Sequence, residues 1–179
     1  MVIRKAWAAL GGLVLILAAL AALAAAAPAM AGNHNLLILN VGHSDIDDFD
    51  EPTVEGNIEY AWGRTVWGNG SWFSGIGPAV GLTITGKGGV FAYAAIYGDF
   101  FLGDSFVIRP EGGMGAFTEG DGKDLGGTFE IHGSLSIAYI FDNQARLGVT
   151  YSHISNGGVY ASSPALDSIL LHYAFPIGP

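Results

Sequence analysis

His153 and Ser155 stand two residues apart, and Asp167 opens the next apolar run. Serine is a weak nucleophile until an imidazole takes its proton, and an acid beside the imidazole fixes its tautomer and orientation. Ser, His and a carboxylate are therefore the parts of an acyl-transfer triad. Asn156-Gly157-Gly158 follows at once and offers an amide side chain and unhindered backbone N–H groups as oxyanion donors. H-x-S is a short and common pattern. The bland reading of the same residues is a hydrated polar strand end. The choice depends on whether the chain's elements bring the three side chains together.

Period-two alternation decides the face on which they lie. In the run 145–156, Leu147, Val149, Tyr151, His153 and Ser155 share one face. In the run 167–177, Asp167, Ile169, Leu171, Tyr173, Phe175 and Ile177 share one face. A hairpin folds the start of the second run back on the end of the first, so Asp167 is expected beside His153 and Ser155. All three interrupt a face that is otherwise apolar.

The same alternation recurs along the chain. Strands are expected at 36–45, 54–63, 76–86, 90–102, 105–118, 128–141, 145–156 and 167–177. One face carries large apolar and aromatic groups, as in Phe129, Ile131, Leu135, Ile137 and Tyr139. The other carries small residues with Glu55, Glu59, Arg109, Glu111, Glu130, His132, Arg146 and His172 among them. Eight strands of this length with an apolar exterior and a polar interior are expected to form an all-β, eight-stranded antiparallel transmembrane β-barrel. Glycines make room in such a lumen. Aromatic residues near strand ends (among them Tyr60, Trp62, Phe73, Tyr97, Phe100, Phe101, Tyr139 and Phe175) suit interfacial girdles. A soluble lipocalin-like barrel is the alternative, but it would have to bury the charged face or expose the aromatic one. An even strand count puts both termini on the periplasmic side. The connections 46–53, 87–89, 119–127 and 157–166 fit that scheme unevenly, and 119–127 fits it least.

Composition narrows the function classes. Only 13% of residues are charged, about half the usual quarter, so a disordered acidic tail is excluded. There is no Cys, which excludes a disulfide scaffold, a thiolate zinc site and a Cys nucleophile. Arg4 and Lys5, an apolar stretch over 6–27 and Ala29-Met30-Ala31 read as a secretory signal peptide cleaved after Ala31, although the stretch is long enough for an anchor. The domain that remains is 32–179. Losing Arg4 and Lys5 takes the formal charge from −9 to −11, and the few basic residues left make no nucleic-acid footprint.

His153-Ile154-Ser155-Asn156-Gly157-Gly158, then Pro164-Ala165-Leu166-Asp167-Ser168-Ile169-Leu170-Leu171 and Tyr173-Ala174-Phe175, resembles the PagL family of lipid A 3-O-deacylases. Gly126-Gly127 through Phe141-Asp142-Asn143 and Arg146-Leu147-Gly148 look similar as well. The likeness covers about 120–177 and is only architectural before it. It implies an outer-membrane barrel of a Gram-negative bacterium that hydrolyses the 3-O-linked hydroxyacyl chain of lipid A. It implies Ser155 as nucleophile, His153 as general base, Asp167 as orienting acid, and Asn156 with Gly157 as oxyanion hole. No metal or organic cofactor is implied. Asp167 departs from the family's Glu by one methylene, and Gly157 replaces a common alanine. The chain also ends Pro176-Ile177-Gly178-Pro179 after Phe175, in place of a terminal aromatic.

The remaining features weigh less. Asp45, Asp47, Asp48, Asp50 and Glu51 lack the Gly and terminal Glu of an EF-hand loop and read as a solvated loop. His43-Ser44 is no second dyad, because strand neighbours point to opposite faces. Gly-x-Gly matches with no helix after them say nothing about nucleotides. The rival functions are a non-enzymatic barrel that braces the membrane or binds a surface partner, and a barrel that transfers the acyl group to an acceptor other than water.

Overall fold

The computed structural model describes residues 34–46 and 53–178. The proposed signal peptide, and Asp47, Asp48, Asp50 and Glu51 of the acidic run, lie outside them. The described residues form β1 (Leu36–Ser44), β2 (Thr53–Ala61), β3 (Phe73–Thr85), β4 (Val90–Leu102), β5 (Phe106–Thr118), β6 (Phe129–Ile140), β7 (Arg146–Ser155) and β8 (Ala165–Pro176). Each strand pairs antiparallel with its sequence neighbour, and β8 closes on β1, so no sheet edge is left unpaired. The main shift from the expected bounds is at β3. It begins at Phe73, which pairs with Phe100 across a register irregularity between Phe73 and Ile76.

The connection after β5 shares an end with those after β1, β3 and β7, because each follows an odd strand. The apparent misfit of 119–127 therefore disappears. The described termini (the residues before β1 and after β8) and the connections after β2, β4 and β6 lie at the opposite end.

Side chains alternate as expected. Val54, Ile58, Ile84, Ile96, Met114, Leu135, Ile137 and Val149 are exposed on the outside. An apolar surface that runs round a whole barrel suits hydrocarbon, not water. Asn40, Glu55, Glu59, Asp99, Arg109, Glu111, Glu130, His132 and His172 are buried inside. Four aromatic pairs form a girdle at one end. Tyr60 with Trp62, Phe73 with Phe100, Phe106 with Tyr139, and Tyr173 with Phe175 all cluster at the end that carries the termini. Tyr97 and Phe101 do not join it. Tyr97 turns inward beneath the Arg109 guanidinium, 3.6 Å from its ring centroid, and Phe101 packs on Val107, Ala138 and Ile140.

The lumen is filled. A Cβ on Gly81 would stand 2.3 Å from the Tyr93 ring, so glycine there makes space for an inward aromatic. Asn57, Glu59, Tyr93, Glu111 and His172 help to enclose a void of about 20 Å³, room for about one water. Asp99 anchors the other end of the lumen. It meets Arg146 at 2.7 Å and Arg109 at 3.6 Å. Removing one partner of such a buried group leaves charge uncompensated at a cost of about 3–5 kcal/mol. Asp99→Leu is therefore expected to destabilise the barrel by about that amount, visible as a lower urea midpoint. An unchanged midpoint would show that the arginines do not depend on Asp99.

Candidate active site

The site is built by the β7–β8 hairpin at the end opposite the termini. β7 alternates, so Ser152 and Ile154 are buried inside while Tyr151, His153 and Ser155 face outward. In the hairpin register His153 stands directly opposite Asp167, and Ser155 opposite Ala165. Directly opposed side chains on an antiparallel pair lie about 4.5–5.5 Å apart at Cβ, within one hydrogen bond of contact.

The three expected residues do come together. His153 Nδ1 lies 2.9 Å from Asp167 Oδ1, and His153 Nε2 lies 3.0 Å from Ser155 Oγ. A carboxylate only accepts, so the proton sits on Nδ1 and the imidazole is left with Nε2 as an acceptor for the serine hydroxyl. This is the relay by which a serine becomes a nucleophile. The bland reading of a hydrated strand end requires no such chain of contacts. His153 is 44% exposed and Asp167 19% at the side chain, so a substrate can reach the ring from outside while the acid is largely covered.

Asn156 has a different part from the one expected of its side chain. It is fully buried. Its Nδ2 donates to the Leu125 carbonyl at 2.6 Å and the Ser162 carbonyl at 2.8 Å, and its Oδ1 accepts the Gly158 N–H at 2.9 Å. Both amide hydrogens are thereby used, and none is left for an oxyanion. The carboxamide instead ties neighbouring loop segments together behind Ser155. Gly157 adopts φ +62°, a left-handed conformation that suits glycine, immediately after the Ser155-Asn156 pair. Its backbone N–H remains the candidate oxyanion donor.

Three further contacts were not foreseen. The Tyr151 hydroxyl donates to Asp167 Oδ1. The Ile46 N–H donates to the Asp167 carbonyl at 3.2 Å. Lys123 bridges to Asp45 at 2.6 Å, so this residue of the acidic run pairs within the protein. His43 is exposed and Ser44 buried, on opposite faces as expected. Among the described residues no group of three or more His, Asp or Glu is placed to hold a metal.

Beside the triad the outer surface is hollow. Gly133 on β6 pairs with His153, Gly112 on β5 pairs with Gly133, and Ile96 on β4 pairs with Gly112. A Cβ at Gly133 or Gly112 would meet nothing within 4 Å. Ile131 and Leu135 flank the first glycine along its strand, and Pro110 and Met114 the second. The floor leads into an apolar concavity of about 700 Å³ over β3–β5.

The sequence model described as lipid A 3-O-deacylase (PagL) matches residues 54–176, well beyond the 120–177 that carried the resemblance. The lipid A deacylase PagL of Bordetella bronchiseptica (strain ATCC BAA-588 / NCTC 13252 / RB50) is 30% identical over 80 residues, which is 42% of this chain and 44% of that protein. The chain thus matches less than half the length of that relative. In structure the barrel is similar to a crystal structure of the outer membrane enzyme PagL, with TM-score 0.57 and 23% identity over 79% of this chain and 99% of that one. It is as similar to a de novo designed transmembrane β-barrel, with TM-score 0.58 and 12% identity over 83% and 99% of the two chains. The structural likenesses speak for the fold alone.

Proposed function

The chain belongs to the lipid A 3-O-deacylase (PagL) family, and from that premise we propose that it is a serine esterase of the outer membrane that removes the 3-O-linked hydroxyacyl chain of lipid A. The observation that carries the proposal is the continuous chain of contacts from Asp167 through His153 to Ser155 on the lipid-facing side of the barrel.

In this reading Ser155 Oγ attacks the ester carbonyl while His153 Nε2 takes its proton. Asp167 holds the ring and stabilises the imidazolium that forms. The Gly157 N–H receives the developing oxyanion. Collapse of the intermediate expels the sugar 3-oxygen, to which His153 returns the proton, and leaves the acyl group on Ser155. Water, activated by the same imidazole, then attacks that ester and releases a 3-hydroxy fatty acid. A lipid of the outer leaflet reaches a site on the outside of the barrel by lateral diffusion. The filled lumen is therefore no obstacle, since nothing has to cross it.

The glycine floor supports an acyl substrate. A chain whose ester lies at Ser155 can rest its methylenes over Gly133 and Gly112, between Ile131 and Leu135. A Cβ at Gly133 meets nothing within 4 Å, so Gly133→Leu places a branched side chain in that space. It is expected to lower lipid A turnover about 10²-fold, the scale of misplacing a reacting group by about 1 Å, while a short soluble ester is still cleaved. Equal losses on both esters would show that the floor does not bind the chain.

The reading is tested by incubating the purified barrel in detergent with lipid A and identifying the product. Free 3-hydroxy fatty acid supports it. Release only when an acceptor alcohol or lipid is present, with the acyl group on that acceptor, would replace hydrolysis by transfer. No release under any condition would favour a non-enzymatic barrel.

A further inference from the structure

Two outward side chains meet at the Asp167 carboxylate, and only one of them belongs to the triad. His153 Nδ1 and the Tyr151 hydroxyl both donate to Oδ1. They reach it from different rungs of the hairpin. His153 is directly opposite Asp167, whereas Tyr151 is opposite Ile169, two residues further along β8. Diagonal neighbours of this kind lie roughly 7–8 Å apart, a gap that an aromatic side chain can span. The hydroxyl at the tip of the ring is what makes the contact polar.

The contact acts on a torsion that is otherwise loose. The last torsion of an aspartate joins sp³ and sp² carbons and has a broad well, so a single donor leaves the carboxylate free to swing. The backbone here is already held, since the Asp167 carbonyl accepts the Ile46 N–H. A second donor on Oδ1 leaves the carboxylate one orientation, the one that faces His153. The short reach of Asp makes that orientation matter more than it would for a longer acid.

We propose that Tyr151 is a positioning residue for the ester hydrolysis: its hydroxyl holds the Asp167 carboxylate in the orientation that keeps His153 Nε2 aimed at Ser155. The proposal rests on the reading of Ser155, His153 and Asp167 as the triad. Tyr151 acts through Asp167 and not on the reacting atoms. Tyr151 is 44% exposed on the outer surface, so a plain interfacial aromatic is the alternative role. Tyr151→Phe keeps that ring and removes only the hydroxyl.

The test is a double-mutant cycle with purified barrels, each checked for closure by its mobility shift on heating in detergent gels. Tyr151→Phe is expected to lower kcat about tenfold with KM unchanged, the scale of losing one hydrogen bond to a charged group. In the Asp167→Ala background the same change is expected to cost nothing further, because the group it positions is gone. A loss of the same size in both backgrounds would make Tyr151 a packing residue and overturn the proposal, as would full activity of Tyr151→Phe. Ser155→Ala measured alongside separates the two readings. If it is inactive while Tyr151→Phe is fully active, only the positioning role falls. If it stays active, the triad and the positioning role fall together.

Discussion

Ser155→Ala is expected to lower hydrolysis of the lipid A 3-O ester by about 10⁴-fold or more, the scale on which loss of a triad nucleophile acts. Its hydroxyl is the group that His153 Nε2 faces at 3.0 Å. The barrel has little reason to respond. Ser155 ends its strand, is half-buried and faces outward, so the smaller alanine leaves no cavity in a packed core. Loss of activity with an unchanged unfolding midpoint is therefore the expected pair of results, read by fatty acid release and by urea titration. Retention of most of the activity would remove Ser155 from the nucleophile's role.

Asp167→Asn is expected to lower kcat by about 10²–10⁴-fold. The present carboxylate can only accept, which places the imidazole proton on Nδ1, and its charge offsets the imidazolium that forms when His153 takes the serine proton. The Tyr151 hydroxyl and His153 Nδ1 meet the same oxygen, Oδ1. An amide oxygen in that place still accepts from both, but the neutral group no longer stabilises the imidazolium. Turned the other way, the NH₂ faces Nδ1 and drives the ring proton to Nε2, where the serine finds no acceptor. The size of the arrangement is preserved in either case, so KM is expected to hold while kcat falls. Unchanged kcat would show that the imidazole is oriented without Asp167.

Much of this was readable because strand geometry has a period of two. The alternation in 128–141 and 145–156 gave the sidedness of the barrel, and counting residues across the last turn brought Asp167 back to His153. Local patterns are silent about contacts made across register or between loops. Tyr151 reaches Asp167 on a diagonal that depends on the β7–β8 offset. Asn156 is held by Leu125 and Ser162, one of them in another connection, so its motif position suggested a catalytic side chain where the packing makes a loop tie. Tyr97 looked like a girdle residue by type. Its phase with Tyr93 along β4 puts it inside, and phase decides over type. The early start of β3 follows from pairing around an irregularity at Phe73–Ile76, which no run of alternating residues announces.

The acid of the site also shows how a departure from a family pattern is absorbed. A carboxylate one methylene shorter than the family's usual Glu still lies 2.9 Å from His153, because the two residues are direct partners across the hairpin. A second donor and a backbone bond from the β1–β2 connection then hold it. The geometry of the proposed triad is thus a property of the hairpin's register and of the loop residues that brace it.

Hydrolysis of lipid A by Ser155 is tested in the membrane by mass spectrometry of lipid A from a Gram-negative host that expresses the wild-type chain or Ser155→Ala at equal levels in the outer membrane. The wild type is expected to yield a species lighter by one 3-hydroxyacyl chain, and the Ser155→Ala host is expected to keep the full acyl set. Lipid A of unchanged mass in both hosts, or the same lighter species in both, would contradict it.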